Sequence, residues 1–525
     1  MEWFFSKIKK LLCFQGWRRS VLSFLLGLLA GLAFVPFNLV PVLLVSFPCL
    51  IFLLREAKNK KEAFLLGWSF AFGLLIVSLH WIAAALFVEL EVFWWVLPLA
   101  VGGLPALLAL YYGFAAMLAH VWGMKRLDGV LAFALCWMAA EWSRAHLLTG
   151  LPWDLLGYVW SDFLPVLQSV SLFGVEGLTL VTLLLALIPS FFFFPKEKKR
   201  ARILVSVGVL LFASLAVWGQ MRLSDAPHEN VENVRLRLIQ PNLDQEMKWQ
   251  PEKRLANFQH LLNISFGKLG EQNITHFIWP ETAIAYYLTE EKGVRARIAE
   301  RMPEKSILLT GVVRRQQYEG EPVRYYNSLI ALNARGDVIA GYDKKHLVPF
   351  GEYVPFRSLF PFRVVTALGV DFTFGDRIKS LRVPDLPSFG PLICYEAIFS
   401  GEVLDPEDPP AFLLNLTNDG WYEGTIGPAQ HFAMVRARAI EEGIPLVRVA
   451  NKGVTGVIDP WGRLVAKSDV HARVFVDTNL PKAIRHKTFF QKQRAKTTWL
   501  MVVLLLLTTI ALRFVKVNVP KKQIV

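Results

Sequence analysis

The feature that most constrains this chain is a set of long apolar runs, nearly free of charge, that fill most of its first 220 residues or so. Of its 525 residues, 54% are hydrophobic, and a run of about 20 such residues is long enough to cross a bilayer core. The runs predict eight membrane spans, at residues 20–35, 37–54, 63–88, 92–122, 129–147, 166–194, 201–219 and 497–513.

The positive charges of the chain indicate how these spans are oriented. The formal net charge is +14, but Lys and Arg gather at the ends of the apolar runs, which is typical of a membrane surface and not of nucleic-acid binding. With eight spans and a cytoplasmic N-terminus, every basic cluster falls on the cytoplasmic side, whereas the opposite loops at 89–91 and 149–163 carry no Lys or Arg. The sequence therefore predicts a multi-pass membrane protein with both termini in the cytoplasm.

The residues between the seventh and eighth spans have the mixed composition of a globular domain. Three parts are predicted: residues 1–222 as a seven-span transmembrane domain, 223–483 as an extracytoplasmic domain, and 484–525 as the last span with a basic tail. Within 223–483, short β-rich runs such as 234–239 and 446–450 alternate with helical stretches such as 427–442. This alternation predicts an α/β fold.

Three polar residues of this segment stand at or just after predicted strand ends. Glu281 follows Phe-Ile-Trp-Pro, Lys344 opens a polar turn, and Cys394 ends the run Gly-Pro-Leu-Ile. Taken singly, each has a structural interpretation: a solvated loop carboxylate, a lysine-rich surface turn and a small buried thiol. Taken together they supply the base and the cation that a cysteine nucleophile needs near neutral pH.

Other chemistries find little support in the sequence. Cys394 is the only one of the four cysteines that lies in 223–483, so no disulfide can form within that segment. The chain has no Gly-x-Ser-x-Gly elbow, P-loop, His-Glu-x-x-His or dinucleotide-binding glycine pattern. We therefore expect no cofactor and no metal, and the polar residues at the strand ends remain as the candidates for chemistry.

The motifs around these residues resemble a known family. They are Trp279-Pro280-Glu281-Thr282-Ala283, Lys344-x-His346-Leu347-Val348-Pro349-Phe350-Gly351-Glu352 and Ile393-Cys394-Tyr395-Glu396, with further matches at 415–421 and 427–431. They resemble the carbon–nitrogen hydrolase (nitrilase) superfamily, and together with eight spans they resemble the apolipoprotein N-acyltransferases. The sequence departs from the pattern at Asp154, Ala285 and Lys452.

The resemblance implies a four-layer αββα catalytic domain on the periplasmic side of a bacterial inner membrane. It implies a Glu281 base, an electrostatic stabiliser in Lys344 and a Cys394 nucleophile. Supporting roles would fall to Asn327, Glu352, Tyr395 and Glu396, and a substrate cleft would be lined by Trp153, Trp249 and Trp421. The implied reaction moves an acyl chain from a phospholipid, phosphatidylethanolamine being the expected donor, to the α-amino group of a diacylglyceryl-cysteine on an apolipoprotein.

Two alternatives remain open at this point. A membrane-anchored amidase could use the same three residues to hydrolyse a small amide, and it would not need eight spans. A transporter or assembly scaffold could carry an external domain that only binds, and there Cys394 would be replaceable.

Overall fold

The computed structural model of the chain describes residues 15–244, 248, 250–267, 273–358, 369–469 and 472–514. The chain divides into two units. One comprises Met1–Ile82, Trp95–Ser224 and Gln493–Val525, and the other comprises Ala83–Trp94 and Asp225–Lys492.

The first unit is built of helices, and a helix occupies each of the eight predicted spans. They are α1 (Trp17–Gly31), α2 (Leu43–Arg55), α3 (Lys60–Leu79), α4 (Leu104–Trp122), α5 (Leu127–His146), α6 (Val170–Leu187), α7 (Lys198–Ser224) and α11 (Lys496–Phe514). Within the described residues, five helical segments are long and apolar enough to cross a membrane: Lys60–Val88, Leu99–Trp122, Val170–Phe193, Lys198–Ser224 and Lys496–Phe514. The chain is therefore a membrane protein, and the count of eight spans stays a prediction.

Buried charged residues in this unit are paired. The guanidinium of Arg144 lies 3.3 Å from the Glu141 carboxylate, and its Nη1 donates to the carbonyl oxygen of Trp153 at 2.7 Å. Trp153 packs on Trp81 with ring centroids 4.6 Å apart, and the next residue, Asp154, accepts a hydrogen bond from Ser78 at 2.6 Å. An unpaired buried charge destabilises the folded state, and these contacts give Arg144 and Asp154 their partners. Through the same contacts the two residues fix the 151–154 loop. The cleft role of Trp153 stays a prediction.

The second unit contains two six-stranded sheets. The order in the first is β12-β1-β2-β3-β4-β5, and in the second it is β11-β10-β9-β8-β7-β6. The strands are β1 (Asn230–Gln240), β2 (His276–Ile278), β3 (Ile307–Gln316), β4 (Arg324–Asn333), β5 (Val338–Asp343), β6 (Leu381–Val383), β7 (Leu386–Ile393), β8 (Phe412–Thr417), β9 (Leu446–Ala450), β10 (Gly456–Ile458), β11 (Leu464–Lys467) and β12 (Val474–Pro481). The helices of eight or more residues in the described part of this unit are α8 (Pro251–Phe266), α9 (Lys292–Ala299) and α10 (Gly427–Glu442).

Three apolar clusters show how these elements are layered. The largest joins residues of both sheets, such as Leu309 on β3 and Leu414 on β8, so the two sheets pack face to face. A second joins the outer face of the first sheet to α8 and α9, and a third joins the outer face of the second sheet to α10. The predicted nitrilase-like arrangement of two sheets between helical layers is therefore confirmed.

Candidate active site

The three predicted catalytic residues come directly after three strands. Glu281 lies in the turn after β2, Lys344 follows β5 immediately, and Cys394 follows β7 immediately. All three side chains are buried. The turn that carries Glu281 runs close against β3, where a Cβ on Gly311 would come within 2.6 Å of the Cα of Glu281. Only glycine at 311 permits this approach.

Glu281 belongs to a buried hydrogen-bonded group of four residues. Asn327 Nδ2 donates to Glu281 Oε1 and to Glu352 Oε1, each at 2.7 Å. Lys344 Nζ lies 2.9 Å from Glu352 and 3.7 Å from Glu281 Oε1. Glu352 is fixed further by the backbone N–H of Val348, which donates to its Oε2 at 2.7 Å. The structure therefore brings together Glu281, Asn327, Lys344 and Glu352, as the sequence motifs predict.

The second oxygen of Glu281 is the chemically informative atom. Glu281 Oε2 is buried and has no hydrogen-bond partner among the residues that the structure describes. Burial raises the pKa of Glu281; Lys344 opposes this rise, and the neighbouring Glu352 carboxylate adds to it. A carboxylate with a raised pKa and an unused acceptor atom is a competent general base.

Lys344 remains charged in this setting. Burial works against its ammonium group, but Glu352 and Glu281 outweigh that effect and hold the pKa of Lys344 above its ordinary value. Cys394, once ionised, raises the pKa of Lys344 further. A fixed cation beside a nucleophile can stabilise negative charge that develops during attack on a carbonyl.

Cys394 is held in an unusual backbone conformation. Its φ is +50°, in the left-handed region that L-residues rarely adopt. Burial raises the pKa of its thiol to about 12; Glu281 adds to this rise and Lys344 opposes it. The resting thiol is therefore neutral, and a base must take its proton during the reaction.

Glu396 ties the Cys394 turn to the loop that carries Lys344. Its Oε1 accepts hydrogen bonds from the Tyr342 hydroxyl at 2.6 Å and from the backbone N–H of Lys345 at 2.7 Å. Its Oε2 accepts from the backbone N–H of Ile393 at 2.7 Å. These bonds support the expected role of Glu396 in fixing the nucleophile relative to the cation.

Lys248 is a further site residue that the motifs did not indicate. It is 2% exposed, and its Nζ donates to the backbone carbonyl of Glu281 at 3.4 Å. Burial lowers the pKa of Lys248 to about 8, while Glu281 acts in the opposite direction. In return, its charge favours the ionised form of Glu281. A single lysine between Met247 and Trp249 carries no sequence signal of such burial.

A second cluster of polar residues lies behind Cys394. Ligand atoms of Cys394, Asp419 and His431 lie within 4.8 Å of one another. Asp419 Oδ2 is, however, already paired with Arg448 Nη2 at 2.7 Å. A metal ion here would sit beside a guanidinium, so the donor set does not fit a metal site.

The remaining cleft predictions have different outcomes. Trp249 lies outside the residues that the structure describes. Trp421 is half-buried in a short helix, Asp419–Tyr422, that follows β8. Lys452, where the sequence departs from its motif, pairs with Asp244 at 2.7 Å and with Glu423, and so joins three loops at strand ends.

Comparison with known proteins agrees with this architecture. A family described as "Apolipoprotein N-acyltransferase N-terminal domain" matches residues 26–188, and one described as "Carbon-nitrogen hydrolase" matches residues 235–480.

Curated relatives cover nearly the whole chain. The apolipoprotein N-acyltransferase of Rhodopseudomonas palustris is 39% identical over 487 residues, covering 89% of this chain and 90% of the relative. That of Bradyrhizobium diazoefficiens is 39% identical with the same coverage, and that of Brucella melitensis is 37% identical over 522 residues, 96% of each chain. The chain therefore belongs to the apolipoprotein N-acyltransferase family and is a membrane-bound acyltransferase.

Proposed function

We propose that the chain moves an acyl chain from a phospholipid to the α-amino group of a diacylglyceryl-cysteine at the N-terminus of an apolipoprotein, through a thioester on Cys394. The observation that carries this proposal is the buried group around Cys394, in which Glu281 Oε2 is an unused acceptor and Lys344 is a fixed cation. The name of the relatives indicates the acceptor, an apolipoprotein amine, and a phospholipid is proposed as the donor because the chain is a membrane protein.

In the first half-reaction Glu281 takes the thiol proton while the sulfur of Cys394 bonds to the ester carbonyl carbon of the phospholipid. The carbonyl π electrons move to oxygen, and the resulting oxyanion is stabilised by Lys344 and by the backbone N–H of Tyr395. The oxyanion then collapses, the bond to the glycerol oxygen breaks, and Glu281 returns its proton to that oxygen. A lysophospholipid leaves and a thioester remains.

In the second half-reaction the α-amine of the apolipoprotein attacks the thioester. Glu281 accepts a proton from the attacking nitrogen, the same two groups stabilise the new oxyanion, and the carbon–sulfur bond breaks. The thiolate of Cys394 recovers the proton that Glu281 holds, which leaves an amide and the resting enzyme. The two substrates thus react in turn, in a ping-pong sequence.

Positioning roles follow from the contacts. Asn327 and Glu352 fix Glu281 and Lys344 through hydrogen bonds of 2.7 to 2.9 Å, and Glu396 fixes the turn that carries Cys394. Trp153, Trp249 and Trp421 are proposed as cleft residues because the family resemblance implies that role.

The membrane topology is part of the same proposal. Eight spans would put every basic cluster on the cytoplasmic side and leave residues 223–483 outside the cytoplasm. Residues 1–222 and 484–525 would then form the membrane part, with both termini in the cytoplasm of a bacterial cell. We expect phosphatidylethanolamine as the donor.

Intact-mass measurement of the purified protein tests this function. Incubation with phosphatidylethanolamine should add the mass of one acyl group to the wild-type protein and none to Cys394→Ala. When a diacylated lipopeptide is then added, the acyl group should leave the protein and appear on the lipopeptide. Release of the chain as free fatty acid at the same rate without lipopeptide would favour the amidase-like alternative. Full transfer by Cys394→Ala would overturn the proposal and favour a binding role for this domain.

A further inference from the structure

The backbone carbonyl of Cys394 is held from behind by two buried side chains. His431 Nε2 lies 3.3 Å from this oxygen, and Asn415 Nδ2 lies 3.5 Å from it and 3.3 Å from the carbonyl of Leu392. Both side chains are fully buried. The backbone conformation of Cys394, with a φ of +50°, needs support from its surroundings. The contacts of His431 and Asn415 with its carbonyl oxygen provide such support.

Arg448, fully buried on β9, fixes the orientation of both side chains. Its Nη1 donates to Asn415 Oδ1, which turns the Nδ2 of that amide toward the carbonyls. Its Nη2 lies 2.7 Å from Asp419 Oδ2 and 3.2 Å from His431 Nδ1. One guanidinium therefore contacts both of the groups that hold Cys394.

The contacts of the His431 ring require a hydrogen on Nε2. Nδ1 lies 3.0 Å from the carboxylate oxygen Asp419 Oδ1, and 3.2 Å from the Tyr422 hydroxyl and from Arg448 Nη2. Nε2 faces a carbonyl oxygen, which can only accept. A hydrogen on Nε2 therefore makes this contact a hydrogen bond, and Asp419, Tyr422 and Arg448 fix the ring from the Nδ1 side.

Contacts that fix the carbonyl of Cys394 also fix the backbone N–H of Tyr395. The peptide unit is planar and, when trans, its C=O and N–H point in opposite directions. The peptide between Cys394 and Tyr395 is trans. With its oxygen fixed toward Asn415 and His431, its N–H is fixed toward the opposite side, and donors at the oxygen also polarise the N–H through the peptide.

We propose that Arg448, His431 and Asn415 are positioning residues for acyl transfer, which hold the Cys394 carbonyl and thereby aim the Tyr395 N–H at the developing oxyanion. The inference rests on the proposed thioester chemistry at Cys394. It assigns a role to two sequence motifs, 415–421 and 427–431, that the three catalytic residues leave unexplained.

The test compares an oxyanion-forming reaction with one that forms no oxyanion. In the full-length protein, His431→Leu should slow thioester formation from phosphatidylethanolamine by about 10²-fold, the range for loss of an oxyanion-hole donor, with little change in KM. His431→Gln, which can still donate a hydrogen bond, should recover most of that loss. Alkylation of Cys394 by iodoacetamide needs the thiol but no oxyanion hole, so its rate should stay within about twofold of the wild-type rate.

Two comparisons make the result specific. His276 is as deeply buried and contacts Thr275 on the other sheet, so His276→Leu should leave both reactions unchanged. Asn415→Asp keeps a partner for Arg448 but removes the donor, so it should slow thioester formation as His431→Leu does. It also provides the test if His431→Leu fails to fold.

Two outcomes would overturn the inference. The first is wild-type thioester formation in both His431→Leu and Asn415→Asp. The second is an equal loss of thioester formation and alkylation, which would mean that the cluster holds the thiol itself. Failure of the underlying function would differ from both, because Cys394→Ala would then still transfer acyl chains.

Discussion

Two buried carboxylates, Glu281 and Asp419, both act electrostatically on the thiol of Cys394, yet their surroundings are opposite. Asp419 Oδ1 is within 3.1 Å of Thr417, Tyr422 and His431, and its Oδ2 pairs with Arg448. Glu281 uses only Oε1, and its Oε2 has no partner within the described parts of the chain.

The difference in bonding decides what each carboxylate can do. Although burial acts in the opposite direction, Arg448 and His431 hold the pKa of Asp419 well below its usual range. Burial raises the pKa of Glu281 instead. A carboxylate that stays ionised under all ordinary conditions cannot accept a proton, whereas one with a raised pKa can. The proposed base is therefore Glu281, and Asp419 is proposed to be a structural anion.

The largest predicted effect comes from exchanging the two carboxylates for amides. Glu281→Gln should slow thioester formation by up to about 10⁴-fold, since general-base catalysis contributes roughly 10²–10⁴. Its free energy of unfolding should not fall, because Oε2 makes no hydrogen bond to lose, and because the raised pKa of Glu281 means that burial of its charge costs more than Lys344 returns. Single-turnover acylation, followed by mass spectrometry, and urea unfolding of the same samples measure the two quantities.

Asp419→Asn is the counterpart of that variant. It leaves Arg448 buried without its counter-charge, a loss of roughly 3–5 kcal/mol in comparable pairs. We therefore predict a large decrease in the free energy of unfolding. The rate of thioester formation should decrease only to the extent that the substitution displaces His431 and Arg448 from their contacts. Were Glu281→Gln unstable and fully active, and Asp419→Asn stable and inactive, the assignment of base and structural anion would be reversed.

The next effect in size concerns the cation. Lys344→Met should slow thioester formation by about 10²–10³-fold, as does removal of an oxyanion stabiliser in other enzymes. The adjacent Lys345 serves as the control, because its backbone N–H, and not its side chain, contacts Glu396. Lys345→Met should acylate at the wild-type rate; equal losses in both variants would argue against a specific role for Lys344.

The acid side of the pH–rate profile tests the raised pKa of Glu281. Glu281 can accept the thiol proton only in its ionised form. The rate of thioester formation should therefore fall as pH decreases through the pKa of Glu281, which lies above the ordinary value for Glu. In Lys344→Met the main charge that lowers the pKa is gone, so the acid limb should move to higher pH. An unmoved limb would mean that another group limits the rate.

The sequence predicted much of this fold because its central elements have strong local signals. Helix α10 begins with Pro428 in its first turn and ends before Gly443 in the left-handed conformation, and its predicted bounds match the structure. Strand β9 is a continuous buried run and was predicted to the residue. Five strands were not predicted: β6 and β10 have only three residues each, and β5, β11 and β12 are partly exposed strands at sheet edges.

The candidate site divides along the same line. Glu281, Lys344 and Cys394 stand at the ends of apolar strands, so their position is visible in the sequence. The roles of Asp419, His431 and Arg448 depend on side chains from β9, α10 and a loop meeting behind Cys394. No spacing along the chain encodes that meeting. Asp419 and His431 could be recognised only as members of the motifs 415–421 and 427–431, and Arg448 lies outside both.

Lys248 gives the smallest effect and the finest test of the comparison between the carboxylates. The charge of Lys248 lowers the pKa of Glu281, as does that of Lys344, whereas Glu352 raises it. Cys394 acts on the pKa of Lys344. Lys248→Met should therefore move the acid limb of thioester formation to higher pH, by less than Lys344→Met does, with the rate on the plateau nearly unchanged. Lys248→Arg should restore the limb, and Lys253→Met, at an exposed position of α8, should leave it in place. If Lys248→Met lowers the plateau and leaves the limb where it is, the lysine contacts a substrate and does not tune the base.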